Sequence, residues 1–479
     1  MKKIIKYLFL LTGGSFILAS CNDFLDREPL DSVTPDNFFF TENDLAAYAV
    51  KHYNFTTHEG FNAGIWKNDN ATDNQAATDY DKKWIPGQWK VPEAYDNPAS
   101  NDPWYFSTIR EANYFLETVV PRFEKGEIEG SETNIKHYIG EMYFLRAKNY
   151  LSKLETFGDF PIIKNTLPDE SESLIQASKR APRYKVAHFI LEDLDQAISL
   201  LTNNISGGKN RITKNAALLL KSRAALFEAS WLTYHKGTAL VPGGPGWPGK
   251  AEDIADFNID TEIAFFLKEA KAAAKEVIGN AALVQNTAKD CMDETVKTDE
   301  DKYKMSNPYF AQFSANSLEG YSEILMWRAY NLLDYKIVHS APFYIRVGGN
   351  TGFTRQYVES FLCRDGKPIY ATDQYKGDES LLNVRKNRDL RLQLFLMTPG
   401  ETLSPNVMNG TPDLLPEVPQ LLDITEKRCV TGYQVRKGLS GNWYRDGNTA
   451  IEGCPVYRAA EAYLNYIEAD CMEHNGTSI

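Results

Sequence analysis

Residues 184–203 place Val186, Phe189, Ile190, Leu194, Ala197, Ile198 and Leu201 on one helical stripe. The same period recurs along the first 280 residues. Residues 104–123 and 132–157 read as a helical pair, the second ending at Gly158 with Pro161 just beyond. Residues 213–235 open on Thr213 as N-cap and align Ala217, Leu220, Ala224, Phe227 and Trp231. Residues 261–279 align Ile263, Phe266, Leu267, Ala270, Ala274 and Val277 before Gly279. Shorter helices are expected at 44–52 and at 457–473, the latter aligning Ala460, Tyr463, Ile467 and Cys471. The pairs starting near 104 and 184 are too far apart for a tandem array of roughly 34-residue units. The pattern therefore predicts helical hairpins with long insertions. From 300 to 450, short runs alternate with turns at Gly348-Gly349, Asp365-Gly366 and Asp446-Gly447, and regular helix is sparse. No sharp domain boundary interrupts this scaffold.

The chain opens with Lys2, Lys3 and Lys6, an apolar run from Tyr7 to Ala19, and Leu18-Ala19-Ser20-Cys21. A basic start, a short apolar core and small residues before a cut site describe a secretory signal. The run is too short to span a hydrocarbon core of about 30 Å. Cysteine after Leu-Ala-Ser resembles the bacterial lipobox, which implies that 1–20 is a lipoprotein signal peptide and Cys21 the acylated first residue of the mature chain; the plainer alternative is an ordinary signal peptide cut near Cys21 without a lipid. Residues 21–41 then read as a polar tether punctuated by Pro29 and Pro35.

Composition excludes some functions. The chain has 52 Lys and Arg against 64 Asp and Glu, and losing the leader makes it more acidic, which disfavours nucleic acid. Acidity also disfavours broad adhesion to anionic lipid, so membrane attachment is expected by the lipid anchor only. Besides Cys21 there are five cysteines, an odd number, and none forms a C-x-x-C zinc pair. His52, His58, His137, His188, His235, His339 and His474 show no metal spacing. Asp69-x-Ala71-x-Asp73 begins like a calcium loop but lacks the turn glycine and the closing Glu. No zinc-protease helix, nucleophile elbow, P-loop or dinucleotide fingerprint is present. The expectation is no cofactor, no metal and no catalytic residues.

What remains is aromatic. The 26 Tyr, 25 Phe and 8 Trp include a tryptophan cluster in sequence that carries no helical or strand period. Residues 59–103 combine Trp66, Trp84 and Trp89 with many Asn, Asp and Pro, and a structureless stretch this long is often a binding loop. Sugar rings lay apolar C–H faces on indole and phenol rings, and their hydroxyls need planar hydrogen-bonding partners. A single tryptophan could equally pin a loop to the scaffold. The candidate ligand residues are Asp69, Asn70, Asp73, Trp84 and Trp89 from this loop, with Tyr309, Tyr321 and Trp327 from the region after the helices. Ile324-Leu325-Met326-Trp327 also reads as a buried strand, which would remove Trp327 from any site.

Several segments, in shared order, resemble the SusD/RagB-like family of outer-membrane nutrient-binding lipoproteins. They are Cys21 to Pro29, Ile109-Arg110-Glu111-Ala112-Asn113, and Glu141-Met142-Tyr143-Phe144-Leu145-Arg146-Ala147 followed by Phe157-Gly158-Asp159-Phe160-Pro161. Next come Arg211 to Ala217 with the Lys221 to Phe227 run, Glu323-Ile324-Leu325, Cys363 to Ile369, Arg388-Asp389-Leu390-Arg391, Thr431-Gly432-Tyr433 and Tyr457 to Ala469. Most of these residues read as scaffold: Gly158 as a cap, Asp365-Gly366 as a turn, Arg146 and Glu141 as ties between helices. The resemblance implies a mostly α fold, with tetratricopeptide-like helical hairpins and a loop-rich second half carrying short strands. Residues 42–479 would form one such domain, truncated at its C-terminus relative to the family. It further implies an outer-membrane lipoprotein facing the cell exterior, a SusC-like TonB-dependent transporter as partner, and capture of oligosaccharide without catalysis. The alternatives are a peptide-binding RagB-like member or, further off, a glycoside hydrolase using an unrecognised carboxylate pair.

Overall fold

The computed structural model describes residues 38–82, 85–87, 104–287, 307–399, 402–404, 413–414, 421–422, 425, 427–440, 449–474 and 476. The leader, Cys21, most of the tether, Trp84 and Trp89 lie outside the described residues.

The helical stripes form where the pattern places them. The first half carries α1 (Glu42–Lys51), α2 (Ser107–Glu124), α3 (Glu132–Phe157), α4 (Ser171–Ala177), α5 (Arg183–Leu200), α6 (Lys214–Tyr234) and α7 (Ile259–Asn280). Each long helix packs on its neighbours: α2 on α3, α3 on α5, α5 on α6, and α6 on α7. The C-terminal α13 (Ala459–Glu473) returns to pack on α6 and α7. Between them lies a continuous core that includes Phe115, Phe144, Tyr150, Ile190, Leu219 and Phe266, each almost fully buried. Such packing lets each helix bury its apolar stripe against its neighbours.

Two sequence signals act as expected at helix ends. Gly158 terminates α3 with φ +71°, a left-handed conformation that a side chain would strain. Thr213 caps α6: its Oγ accepts from Ala216 N at 3.2 Å and donates to the Leu325 carbonyl at 3.2 Å. Thr213→Ala is therefore expected to cost about 1–2 kcal/mol, because one orphan helix donor and one buried carbonyl lose their partner. A lowered urea midpoint with an unchanged slope would report it. Gly279, in contrast, lies inside α7, which runs on to Asn280.

Charged side chains tie the helices together within this core. The Arg146 guanidinium of α3 meets both carboxylate oxygens of Asp193 on α5 at 2.7 Å, and its third arm donates to Asn113 and to the Lys164 carbonyl. Arg183 of α5 pairs with the buried Glu228 of α6 at 2.8 Å. Arg211 meets buried Glu141, which also accepts from the Tyr53 hydroxyl at 2.8 Å. Arg146 thus ties α3 to α5, whereas Glu141 ties α3 to the segments that follow α1 and precede α6.

The second half is built from short elements. It contains α8 (Pro308–Ala311), α9 (Ala341–Val347), α10 (Arg355–Ser360), α11 (Leu381–Arg385) and α12 (Leu390–Phe395), none longer than seven residues. Three two-stranded antiparallel sheets accompany them. They pair β1 (Gln75–Ala77) with β3 (Thr351–Phe353), β2 (Ile324–Arg328) with β6 (Cys454–Arg458), and β4 (Thr402–Ser404) with β5 (Asp413–Leu414). A second apolar cluster gathers Phe310, Phe313, Ile345, Val358, Leu394 and Phe395. Among the described residues the fold is mostly helical, with a few short strands and no closed sheet. No helix among the described residues is long and apolar enough to cross a membrane.

Candidate functional site

A cavity of about 370 Å³ opens where the first loop meets the second apolar cluster. Trp66, Tyr309, Phe353, Tyr357, Phe361 and Phe395 supply its rings, and Asn68, Asp69, Gln75, Arg391 and Lys437 its polar groups. The lining comes from the first loop, α8, β3, α10, α12 and the segment at 435–437.

Local chemistry fixes each of these side chains. Trp66 sits on a 3₁₀ turn, Gly64–Lys67. The turn is entered through Gly64 at φ +62°, where an added Cβ would lie 2.0 Å from the His58 ring. His58 Nδ1 accepts from Ile65 N at 3.2 Å, and burial followed by the neighbouring His339 holds its pKa well below the usual range, so the acceptor is neutral imidazole. Buried Gln75 donates to the Trp66 carbonyl at 2.8 Å and to Thr351 Oγ at 2.5 Å, which staples the loop to β3. The β1–β3 register sets Gln75 opposite Phe353.

Short caps place the remaining residues. Asn307 accepts from Tyr309 N at 2.9 Å and starts α8. Thr354 accepts from Tyr357 N at 3.1 Å and starts α10. Asp389 accepts from Arg391 N at 2.8 Å and also holds the Arg391 guanidinium, with Nη2 at 2.6 Å. Gly438 follows Lys437 at φ +86°, and a Cβ there would lie 2.0 Å from the Trp66 indole nitrogen. The glycine is what lets the indole lie against this segment.

The structure brings together two of the residues singled out from sequence, Asp69 and Tyr309, both on the cavity wall. Asn70 stands just behind it, its amide oxygen accepting from Thr351 Oγ at 2.5 Å, so it braces the loop. Asp73 is exposed and contributes its backbone carbonyl to Thr354 Oγ, away from the lining. Trp327 is 5% exposed; its indole donates to Glu319 at 3.0 Å and packs with Leu318 and Ile324. It takes the buried-strand alternative and leaves the candidate set. Tyr321 is half-buried against the same small cluster and leaves with it.

Sequence reading missed Phe353, Tyr357, Phe361, Arg391, Phe395 and Lys437 as lining residues. It had Trp66 within the aromatic loop but did not single it out. Five of the six missed residues lie on or beside three- to six-residue elements too short to show a period, and Lys437 has no motif at all.

A larger cavity, about 780 Å³, lies among α2, the loop at 161–168 and α4. Its walls are largely apolar, with Trp104, Phe106, Ile109, Ile163 and Leu174. Its buried amide, Asn113, is already engaged by the Ile163 and Asn165 carbonyls and by Arg146. The smaller cavity offers the richer set of ring faces, with polar side chains set among them, and is the better candidate for a hydroxylated ligand. One close group of possible metal ligands among the described residues, Asp470, Glu473 and His474, is occupied electrostatically by the Lys271 ammonium.

Comparison with known proteins fits this architecture. A family model described as "Starch-binding associating with outer membrane" matches residues 23–226, and the SusD family model matches residues 295–478. The SusD-like protein P38 of Formosa agariphila is 27% identical over 203 residues, which is 41% of this chain and 37% of that relative's own length. A SusD-like protein from Bacteroides fragilis superposes with a TM-score of 0.61 at 21% identity, over 94% of this chain and 79% of the other. A SusD-like carbohydrate binding protein from the same species gives 0.61 at 18%, over 92% and 76%. The chain belongs to the SusD/RagB-like family.

Proposed function

We propose that this protein is a lipid-anchored outer-membrane receptor that captures oligosaccharide in the Trp66–Tyr309–Tyr357 cavity. It hands the ligand, unaltered, to a SusC-like TonB-dependent transporter. The observation that carries the reading is the cavity itself. Flat aromatic faces from separate segments surround a few fixed hydrogen-bonding groups, the arrangement that sugar rings require. Family membership supports it, as does the lipobox-like leader ending at Cys21.

The cavity also favours binding over turnover. Glycoside hydrolysis uses two carboxyl groups flanking the scissile bond. Among the described residues, Asp69 is the one carboxylate that lines this cavity.

The test is native affinity electrophoresis of the mature chain through gels cast with a polysaccharide panel, with reducing-sugar release assayed in parallel. Retardation without release is the expected result. Release of reducing ends, or no retardation by any polysaccharide, would remove the reading.

Gly438→Ala bears on the same site. The added methyl collides with the Trp66 indole, and the positive φ costs a further ~1 kcal/mol in an alanine. The expected outcome is a several-fold weaker retardation together with a shifted tryptophan emission.

A further inference from the structure

The cavity contains a cation that has no ion-pair partner among the described residues. Lys437 reaches in from the segment after Val435; the residue is half-buried and lines the cavity. Around that ammonium stand the Phe313 ring at 4.5 Å, the Trp66 ring at 5.4 Å and the Phe395 ring at 5.6 Å. Among the described residues it has no hydrogen-bond or ion-pair partner. A buried ammonium normally has one, because ring faces replace only part of the lost hydration. The nearby carboxylates do not pair with it. Glu323 is engaged by Arg458 at 2.7 Å, and Asp69, exposed on the cavity lining, lies beyond ion-pair distance of Lys437. Arg391, the other cation on the lining, is already held by Asp389.

We propose that this cavity takes an anionic glycan, whose carboxylate or sulfate ester lies on the Lys437 ammonium while its ring faces lie on the surrounding aromatic side chains. The inference rests on the glycan-binding reading and narrows its ligand class. Lys437 is a half-buried cation whose donors are unengaged among the described residues, and the ligand's anion completes it.

A pH dependence follows. Burial, then the neighbouring Arg458, lowers the Lys437 pKa to about 7 against the weaker opposing pull of Asp69 and Glu323. A bound anion favours the charged form and so raises that value. Below pH 7 the ammonium is already charged. Above it, binding must draw in a proton, and affinity falls by about tenfold between pH 6 and 8. The charged and titratable groups facing Lys437 are Asp69 from the first loop, Glu323 before β2, Arg458 from β6, and Arg391 and Tyr309 on the cavity wall. None is of a residue type that ordinarily titrates between 6 and 8. His58, behind Trp66, is held well below its usual range.

The test uses the mature chain in affinity gels containing polygalacturonate, alginate, glucuronoxylan or carrageenan. Each is compared with its carboxyl-reduced or desulfated form. At least one acidic polymer is expected to retard the protein, with its neutralised form about tenfold weaker; which treatment abolishes retardation tells carboxylate from sulfate. Lys437→Met is expected to bind the acidic polymer only as weakly as its neutralised form, and Lys437→Arg to keep part of the difference. Lys437→Met should also melt higher than the unliganded parent, since it removes an uncompensated buried charge, so lost binding cannot be assigned to unfolding. Equal binding of acidic and neutralised forms, or full binding by Lys437→Met, overturns the inference. Retardation by neutral glycans alone, abolished by Trp66→Ala, overturns it while leaving the glycan reading standing. No retardation by any polymer takes down both.

Discussion

Asp193→Ala is expected to lose about 3–5 kcal/mol of folding stability, the largest single-residue effect we anticipate in this chain. The reason lies at Arg146. Its guanidinium is almost wholly buried between α3 and α5, and Asp193 supplies both oxygens of a bidentate pair at 2.7 Å. Without Asp193, the charge keeps only the Asn113 amide oxygen and the Lys164 carbonyl as acceptors. Burial is the dominant influence on Asp193 itself: it pushes the carboxyl above its ordinary pKa despite the opposing pull of Arg146. The pair therefore matters less for what it adds than for what either half costs alone. A double replacement, Arg146→Met with Asp193→Leu, is expected to recover most of the loss, because two apolar side chains of similar volume leave no charge in the core. Urea denaturation of the three variants checks this. A single-variant cost below about 1 kcal/mol would mean that water reaches the guanidinium.

Trp66→Ala is expected to weaken glycan retention by about 2 kcal/mol, roughly thirtyfold, while leaving the helical half of the molecule intact. The ring is held from behind by Phe313 at 5.8 Å in an edge-on contact and by His58 at 5.6 Å, and its backbone carbonyl is fixed by Gln75. That bracing makes it a rigid stacking surface, so little entropy is lost when a sugar settles on it. Trp66→Phe should retain a substantial part of the affinity, since a ring face remains. Far-ultraviolet circular dichroism unchanged from the parent, with retardation reduced in the affinity gel, is the expected pair of results. Undiminished retardation by Trp66→Ala would place the ligand elsewhere. The large cavity beside Trp104 would then be the next place to look.

The helical half was largely legible from sequence, since long amphipathic elements repeat their signal. In α5, Val186, Phe189, Ile190, Leu194 and Ala197 are all buried, as the stripe requires, and Thr213 and Gly158 mark ends within a residue. Gly279 misled because glycine is tolerated inside a helix whose neighbouring turns are well packed; α7 buries Phe266, Ala270, Ala274 and Val277 against its partners. The aromatic loop was also visible, and it yields Asp69 and Trp66.

The site resisted the same treatment. Trp327 and Trp66 are equally aromatic in sequence. One lies in a strand whose residues from Ile324 to Trp327 are all buried, and the other lies on a turn opening to a cavity. Residue type sets what a side chain can do, and local periodicity sets which face of a long helix is apolar. Both are written in consecutive residues, so the fold class and the helical pairs follow from the sequence by itself. Tyr309, Tyr357, Arg391 and Lys437 are brought to one cavity by contacts between segments up to several hundred residues apart, each too short to carry a period. Which rings stay open and which cation is left without a partner depends on those long-range contacts, and the tertiary structure alone decides it.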